Sequence, residues 1–421
     1  MSLLEGKMVT REPISDLAHI RHEFGEHGGV NMSIEASSTF TVMHPETMPD
    51  LFQGRKAAQD GCYLYGRHFN PTVYSLSRQL AALEGTEAAY CCASGMAAIS
   101  ASILQLCSHG DHVVSSSRVY GGTYALMHDF LPAKSNISTD FVDITDLAAV
   151  EAAIKPNTRV IFTEGLSNPT LRVADIPALA RLAHRHGAQL VVDNTFSPLV
   201  LSPAALGADV VVHSMTKFIN GASDIIAGAI CGSTEFIQGL MDLHTGPLMI
   251  LGPTMDPKVA AEISLRIPHL SLRMAEHGRR ALFLAERLET EGIPVSYPGL
   301  PSHPDHKLAE SLRCRHHGFG GVLTMDLGSE AVADQVMDLL QNRYRFGFMA
   351  VSLGYFDTLM SCPSVSTSSE MSDEDLESSG VESGLLRVSV GFTGTMEERW
   401  QQLHGALMDA GVLKTELPRA G

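Results

Sequence analysis

The sequence has no surplus of basic residues, since it holds 30 Lys and Arg against 47 Asp and Glu and a formal net charge of −17. A nucleic-acid groove or an anionic membrane surface needs such a surplus, so neither is expected as a partner. The chain also lacks an uninterrupted apolar run of about eighteen residues, which argues against a transmembrane helix. Its first residues, MSLLEGKMVTREP, contain no apolar core and do not predict a signal peptide.

The cysteines show no Cys-x-x-Cys pair and no histidine at metal-ligand spacing. Cysteines of this kind are typical of a reducing compartment, where most of them pack as small core residues. We therefore expect a cytoplasmic protein without a metal site. The seven positions are Cys62, Cys91, Cys92, Cys107, Cys231, Cys314 and Cys362.

What the chain does contain, between about residues 74 and 232, is a regular alternation of short β-branched runs and helical stretches. This alternation predicts βαβ units on a mostly parallel, doubly wound sheet that is covered on both faces. The seven candidate strands lie in AAYCCAS, DHVVSSS, STDFVDI, TRVIFTEG, AQLVVDNTF, ADVVVHS and IIAGAICG.

After a long helical region near residues 260–292 the pattern changes to fewer strands, as in GGVLTMDL and LLRVSVGF. We predict an N-terminal arm over residues 1–70, a large α/β domain over 71–262 and a smaller C-terminal α+β domain over 263–421. Residues 364–384 are rich in Ser and acidic residues and poor in apolar ones, which predicts a loop or a mobile flap.

The carboxyl ends of the strands carry the chemistry, because ligands of doubly wound sheets bind there. The polar stretches at these ends are SGMAA, EGLSNPT, DNT and HSMTK. One cofactor explains the set: pyridoxal phosphate needs a lysine amine, a carboxylate for its ring nitrogen and hydrogen-bond donors for its phosphate.

Two of these residues fit the reactive end of that cofactor. Lys217 follows the apolar run 208–212 and is predicted to form the Schiff base, with its amine favoured in the neutral form by burial beside a cationic ring. Asp193, at the tip of LVVDNTF, is predicted to pair with the ring nitrogen.

The phosphate has candidate donors on two strand ends. The main-chain N–H groups of Gly95 and Met96 open a helix, and a helix N-terminus attracts an anion. The hydroxyl groups of Ser214 and Thr216 are predicted to add donors to the same phosphate.

Seven stretches together resemble the Cys/Met-metabolism (trans-sulfuration) family of pyridoxal-phosphate enzymes: YGRHFNPT (65–72), ASGMAAI (93–99), YGGT (120–123), VVDNTF (191–196), HSMTKFING (213–221), SLG (352–354) and LLRVSVG (385–391). That family includes cystathionine γ-synthase, cystathionine lyases, methionine γ-lyase and O-acylhomoserine sulfhydrylases. The resemblance implies the fold-type I architecture of pyridoxal-phosphate transferases, with an N-terminal arm that contacts another subunit.

The resemblance also implies further site residues. Tyr120 matches the tyrosine that stacks on the cofactor ring and assists proton transfer, and Asn168 matches an asparagine near the ring oxygen. Ser352 and Arg387 match the groups that hold the α-carboxylate of the substrate, a role that suits the planar guanidinium of Arg387.

Tyr65 and Arg67 match a tyrosine and an arginine that reach the phosphate from a neighbouring subunit. This implies an active site shared within a dimer and a homotetramer built from two such dimers. The substrate is expected to be a small amino acid.

The expected reaction is γ-elimination or γ-replacement on a thioether or O-acylated amino acid. Methionine γ-lyases of the family carry a cysteine where this chain has Gly122, and many cystathionine enzymes carry an arginine where it has Ala125. The sequence slightly favours a cystathionine γ-synthase-like or lyase-like enzyme, with methionine γ-lyase and O-acylhomoserine sulfhydrylase as alternatives. An aminotransferase and a catalytically inactive interaction homologue remain the more distant readings.

Overall fold

The computed structural model describes residues 12–20, 24–363, 366 and 382–413. Seven strands form the larger sheet: β1 (Ala88–Cys92), β2 (His112–Ser116), β3 (Ser138–Val142), β4 (Thr158–Glu164), β5 (Gln189–Asp193), β6 (Val210–Ser214) and β7 (Gly228–Gly232). Their order in the sheet is β1-β7-β6-β5-β4-β2-β3. Each predicted run contains one of these strands, so the α/β prediction is confirmed.

Six strands are mutually parallel and β7 runs antiparallel to both β1 and β6. The apolar runs are continuous because both faces of the sheet are buried: Leu190 and Val192 of β5 enter one core cluster, whereas Val191 enters the other. This arrangement brings the carboxyl ends of β4, β5 and β6 to one edge.

Helices cover the sheet and connect its strands. Asn70 caps the helix Pro71–Glu84 by accepting from the N–H groups of Thr72 and Val73, and Pro71 occupies its first turn. The other α-helices up to residue 266 are Pro13–Ile20, Thr47–Phe52, Gly95–Leu106, Gly121–Ala125, Leu131–Ser135, Leu147–Ala153, Ile176–Arg185, Thr234–Leu240, Pro247–Leu251 and Pro257–Arg266, with a π-helical turn at Leu126–Phe130.

A second sheet follows, with the order β10-β11-β12-β9-β8. Its strands are β8 (Val295–Ser296), β9 (Val322–Asp326), β10 (Phe348–Met349), β11 (Leu359–Ser361) and β12 (Leu385–Ser389). The helices here are Leu270–Thr290, His306–Leu312, Glu330–Asp338, continued by the π-helical turn Leu339–Arg343, and Met396–Asp409. The two sheets lie on either side of the predicted boundary near residue 262, although the boundaries themselves stay predictions.

The described residues of the N-terminal segment include two α-helices, Pro13–Ile20 and Thr47–Phe52, that its weak periodicity did not predict. Pro13 and Leu17 of the helix Pro13–Ile20 are buried, so this helix packs on the body of the protein. The predicted flap at 364–384 lies mostly outside the described residues. No helix in the described ranges is both long and apolar enough to cross a membrane.

Candidate active site

The carboxyl ends of β4, β5 and β6 and the N-terminus of the helix Gly95–Leu106 surround a cavity of about 230 Å³. The second sheet closes it from the other side through Arg387 of β12 and the loop before β11. The cavity brings together most of the residues predicted from the sequence, namely Gly95, Met96, Tyr120, Asn168, Asp193, Ser214, Thr216, Lys217 and Arg387.

Lys217 lies in the turn that follows β6, and its Nζ donates to Ser352 Oγ over 3.0 Å. Burial, assisted by the nearby Arg387 guanidinium, lowers the pKa of Lys217 to about 8. A substantial fraction of the amine is therefore neutral at mildly alkaline pH, the form in which a lysine acts as nucleophile or base.

The loop that carries Lys217 is fastened to the second part of the chain. Arg273, on the helix Leu270–Thr290, donates to the carbonyl of Phe218 and, over 2.8 Å, to that of Ile219. Gly221 has φ +75°, and a Cβ on it would collide with the Arg273 guanidinium at 2.3 Å. A glycine at position 221 leaves room for Arg273 to form hydrogen bonds with the backbone just after Lys217.

Two buried carboxyl groups end neighbouring strands, because Glu164 of β4 and Asp193 of β5 are register partners. Asp193 Oδ1 accepts from the Thr195 N–H over 2.9 Å, and burial raises the pKa of Asp193. Burial, together with the charge of Asp193, raises the pKa of Glu164 to about 8. The two groups thus share one environment that disfavours a second negative charge.

The predicted phosphate cradle is compact. Ser94 caps the helix Gly95–Leu106 by accepting from the Ala97 N–H over 3.1 Å. The N–H groups of Gly95 and Met96 belong to the first turn and have no partner in the preceding turn of a helix. A Cβ at Gly95 would lie 2.6 Å from the Cβ of Ser214, so only glycine lets the helix end and β6 approach this closely.

The two hydroxyl residues on the other wall are held by backbone contacts. The Ser214 N–H donates to Thr195 Oγ1 over 2.8 Å, which leaves the Ser214 hydroxyl on the cavity wall. Thr216 Oγ1 accepts from the Ala227 N–H over 3.1 Å. Their positions on one wall fit the predicted contacts with an anion.

Arg387 is 2% exposed and donates to Asn168 Oδ1 over 2.9 Å and to the Ser352 carbonyl over 3.4 Å. Burial lowers the pKa of Arg387 to about 10, which still leaves it charged at neutral pH. Within the described part of the chain no carboxylate forms an ion pair with it. A buried guanidinium held in this way suits the carboxylate of a ligand.

Tyr120 is 41% exposed at the mouth of the cavity. Its ring lies against Gly122, where a Cβ would stand 2.6 Å from Tyr120 Cε1. Any larger residue at 122 would therefore displace the ring from this position.

Tyr65 and Arg67 are placed away from the cavity of their own chain. Tyr65 is 48% exposed, and the guanidinium carbon of Arg67 lies 5.8 Å from the centre of the Tyr65 ring. Arg67 also donates to the Met249 carbonyl over 2.6 Å. The structure thus separates this pair from the residues that it brings together.

The sequence reasoning missed Glu164 and Thr195 as individual site residues. Both lie in stretches that it singled out, EGLSNPT and DNT, directly at strand ends. The carboxylate at the end of an apolar run was an available signal for Glu164. Thr195 bridges Asp193 and Ser214, a link that only the parallel pairing of β5 and β6 creates.

These residues fit pyridoxal phosphate. The cavity offers a lysine with a lowered pKa, a buried carboxyl group on the next strand and a helix N-terminus whose glycine has no room for a side chain. When bound, the cofactor supplies an electron sink for negative charge that develops on the substrate. The site therefore has the parts of a pyridoxal-phosphate enzyme.

The comparisons with known proteins agree with this class. Residues 16–407 match the family model of Cys/Met metabolism PLP-dependent enzymes, and the chain belongs to that family. It is 58% identical to a methionine gamma-lyase of Arabidopsis thaliana over 94% of this chain and 90% of the relative. It is 41% identical to an O-succinylhomoserine sulfhydrylase of Pseudomonas aeruginosa over 87% and 88% of the two chains.

Solved structures show the same fold. A cystathionine gamma synthase of Xanthomonas oryzae pv. oryzae, solved with aminoacrylate and cysteine, superposes with a TM-score of 0.85 at 30% identity, over 96% of this chain and 99% of the other. A proposed O-acetylhomoserine (thiol)-lyase of Campylobacter jejuni gives 0.87 at 26% identity over 94% and 100% of the two chains, and that structure contains a pyridoxyl-lysine phosphate. The fold-type I class, the cofactor and the enzymatic nature of the chain are thereby confirmed.

Proposed function

We propose that this enzyme catalyses the α,γ-elimination of methionine or a close S-alkyl relative, in which one water is consumed and a thiol, a 2-oxo acid and ammonia are released. The carrying observation is the apolar outer wall of the cavity, formed by Ile226, Val351 and Leu353. Among the described residues that line the cavity, Lys217 and Arg387 are the cationic side chains.

This wall suits a substrate with one carboxylate and an uncharged tail. Leu353 is buried, whereas Ile226 and Val351 are exposed in the single chain. The distal ammonium and carboxylate of cystathionine would meet apolar side chains and no ionic partner on this wall, which is unfavourable. An S-methyl group needs no ionic partner and gains from apolar contact there. The wall and the 58% identical relative therefore support methionine over the slight preference for cystathionine that the sequence alone gives.

In the proposed reaction Arg387 fixes the substrate carboxylate, with its guanidinium oriented by Asn168 and Ser352. Lys217 takes the proton from Cα, a transfer that its lowered pKa assists. A second proton leaves Cβ, and the electron pair of that C–H bond allows the bond from Cγ to sulfur to break. Asp193 holds the cofactor ring nitrogen. Tyr120, at the mouth of the cavity, gives a proton to the leaving sulfur.

The other predicted contacts complete the proposal. The N–H groups of Gly95 and Met96 and the hydroxyl groups of Ser214 and Thr216 hold the phosphate. Tyr65 and Arg67 reach the same phosphate in a neighbouring subunit, within a homotetramer of two dimers. We assign the enzyme to the cytoplasm because the spacing of its cysteines is typical of a chain from a reducing compartment.

The test is a product assay on cofactor-loaded enzyme with methionine, cystathionine and O-succinylhomoserine, each with and without added thiol. Formation of 2-oxobutanoate and methanethiol from methionine is expected at a kcat/KM at least about tenfold above that for cystathionine, whose two distal charged groups find no ionic partner on the apolar wall. The Lys217→Ala enzyme serves as the blank. Thioether formed only when thiol is added would replace this proposal with a sulfhydrylase, and preference for cystathionine would overturn it.

A further inference from the structure

The Glu164 carboxyl group has no part in the reaction proposed above, although it lies on the cavity wall and is only 6% exposed. It stands beside Asp193 on the neighbouring parallel strand, so the two side chains project from the same face of the sheet. A second buried carboxyl group next to a first is unfavourable for folding. An apolar side chain would fill the same space without that cost.

Both oxygens of Glu164 are bonded to backbone groups of other site residues. Oε1 accepts from the Tyr120 N–H over 2.7 Å, and Oε2 accepts from the Asn168 N–H over 2.8 Å. Tyr120 precedes the short helix Gly121–Ala125, and no side chain caps that helix. Glu164 is thus the contact that ties the backbone of Tyr120 to the end of β4.

The hydrogen bond from the Asn168 N–H links Glu164 indirectly to Arg387, the arginine proposed to bind the carboxylate. Asn168 Oδ1 accepts a hydrogen bond from the Arg387 guanidinium over 2.9 Å, while the Asn168 N–H donates to Glu164. A shift of the Asn168 backbone would therefore move the oxygen that orients the guanidinium. Two functional side chains on different elements depend on one carboxyl group.

We propose that Glu164 is a positioning residue. It fixes the backbone of Tyr120 relative to the end of β4 and, through Asn168, the guanidinium group of Arg387. This inference rests on the roles proposed for Tyr120 and Arg387. The two backbone N–H groups require two acceptors: both oxygens of a carboxyl group can accept, ionised or protonated, whereas the amide of a glutamine offers one acceptor and turns N–H donors toward the other backbone N–H.

The experiment compares Glu164→Gln and Glu164→Asp with the parent enzyme and with Glu87→Gln. Glu87 is an exposed glutamate that also accepts a backbone N–H, that of Thr234 over 2.9 Å, but outside the cavity. Three quantities are measured: the dissociation constant of pyridoxal phosphate from the apo-protein, that of free glycine from the loaded enzyme by absorbance, and the melting temperature. Free glycine carries the carboxylate without a leaving group, so these readouts do not depend on methionine turnover.

Glu164→Gln is expected to raise both dissociation constants at least about fivefold, the factor for one broken hydrogen bond of typical strength. Glu164→Asp is expected to give values between those of Glu164→Gln and the parent, and Glu87→Gln to match the parent. Both constants within twofold of the parent in a folded Glu164→Gln enzyme would overturn the proposal. Should that variant not fold, Glu164→Asp decides alone: at least a twofold rise supports the inference, and parental values overturn it.

Discussion

Lys217 shows at the residue scale how burial prepares a group for chemistry at a cost in stability. Its pKa falls from 10.5 in solution to about 8 in the folded apo-protein. Below about pH 8 Lys217 is protonated in both the folded and the unfolded chain, and the full free-energy cost of burying its charged amine is present. Between the two values the unfolded chain binds a proton that the folded chain has lost, so this lysine makes the free energy of unfolding rise with pH.

We therefore expect apo Lys217→Met to be more stable than the apo parent by ~1–3 kcal/mol at pH 7, a range that allows for partial solvent screening. The advantage should shrink as the pH approaches 10. Urea unfolding of both apo-proteins at pH 7 and 9.5 measures it. The exposed Lys258, replaced by Met, is the control and should show no such trend. A Lys217→Met protein less stable than the parent at pH 7 would contradict the assigned penalty.

Residues that carry their signal in the local sequence were predictable. Asp193 ends an apolar run and Lys217 lies in the short polar stretch after one, and the order of the strand ends suggested one cofactor. Glu164 ends such a run too, but its importance depends on N–H groups that belong to distant parts of the chain. Tyr120 and Arg387 entered only through the resemblance to a family, since an isolated tyrosine or arginine has no local pattern that indicates a site.

At the scale of elements, the helix Gly95–Leu106 and the end of β6 approach closely at one glycine. An alanine Cβ at position 95 would lie 2.6 Å from the Cβ and 2.9 Å from the Cα of Ser214, so one of the two elements must move. We expect Gly95→Ala to destabilise the protein by ~1–3 kcal/mol, the usual cost of overpacking. Its affinity for pyridoxal phosphate should fall at least about tenfold, since a helix-terminal anion site depends on position.

The matched control for this prediction is Gly29→Ala. A Cβ at Gly29 meets only the carbonyl oxygen of Asn31 at 3.7 Å, an ordinary contact. Denaturant unfolding and cofactor titration of both variants check the two effects separately. An unchanged cofactor affinity in Gly95→Ala would exclude this helix end as the phosphate site.

The sequence predicted all seven strands of the larger sheet because each lies in a short run that alternates with helical stretches. Most of these runs are apolar, whereas β3, with the sequence STDFV, is only partly so. It did not predict β8, β10 and β11, which have only two or three residues each and are defined by their pairing with other strands of the second sheet. The reversed direction of β7 was not predicted either, because the apolar run IIAGAICG indicates a strand but not the direction in which it runs in the sheet.

At the scale of the whole molecule, the position of Tyr65 and Arg67 is informative. Both lie outside the cavity of their own chain, and Tyr65 has about half of its surface exposed. In the proposed role, Arg67 must contact a phosphate. It does not line the cavity of its own chain, so that phosphate would have to lie in another subunit. A symmetric dimer would allow this contact, because the surface with Tyr65 and Arg67 on each subunit would then face the cavity of the other subunit.

The shared site predicts complementation between two damaged enzymes. Lys217→Ala lacks the amine of its own cavity, and Arg67→Ala is expected to lack the arginine that serves the other cavity. In a mixed dimer one cavity then contains both defects and the other contains none. Random assembly makes half of the dimers mixed, so co-expressed chains should recover about a quarter of the parental activity.

The control pair is Lys217→Ala with Asp193→Ala, because both residues line the cavity of the same chain. Each cavity of that mixed dimer keeps one defect, and no activity should return. Differently tagged chains, purified through both tags, lose the tetramers that contain one chain type alone, so the expected rate rises slightly to about 30% of the parental rate. If the Lys217→Ala and Arg67→Ala chains stay inactive together while each pure protein is folded, the phosphate is bound by one chain alone, and the dimer is not needed to complete the site.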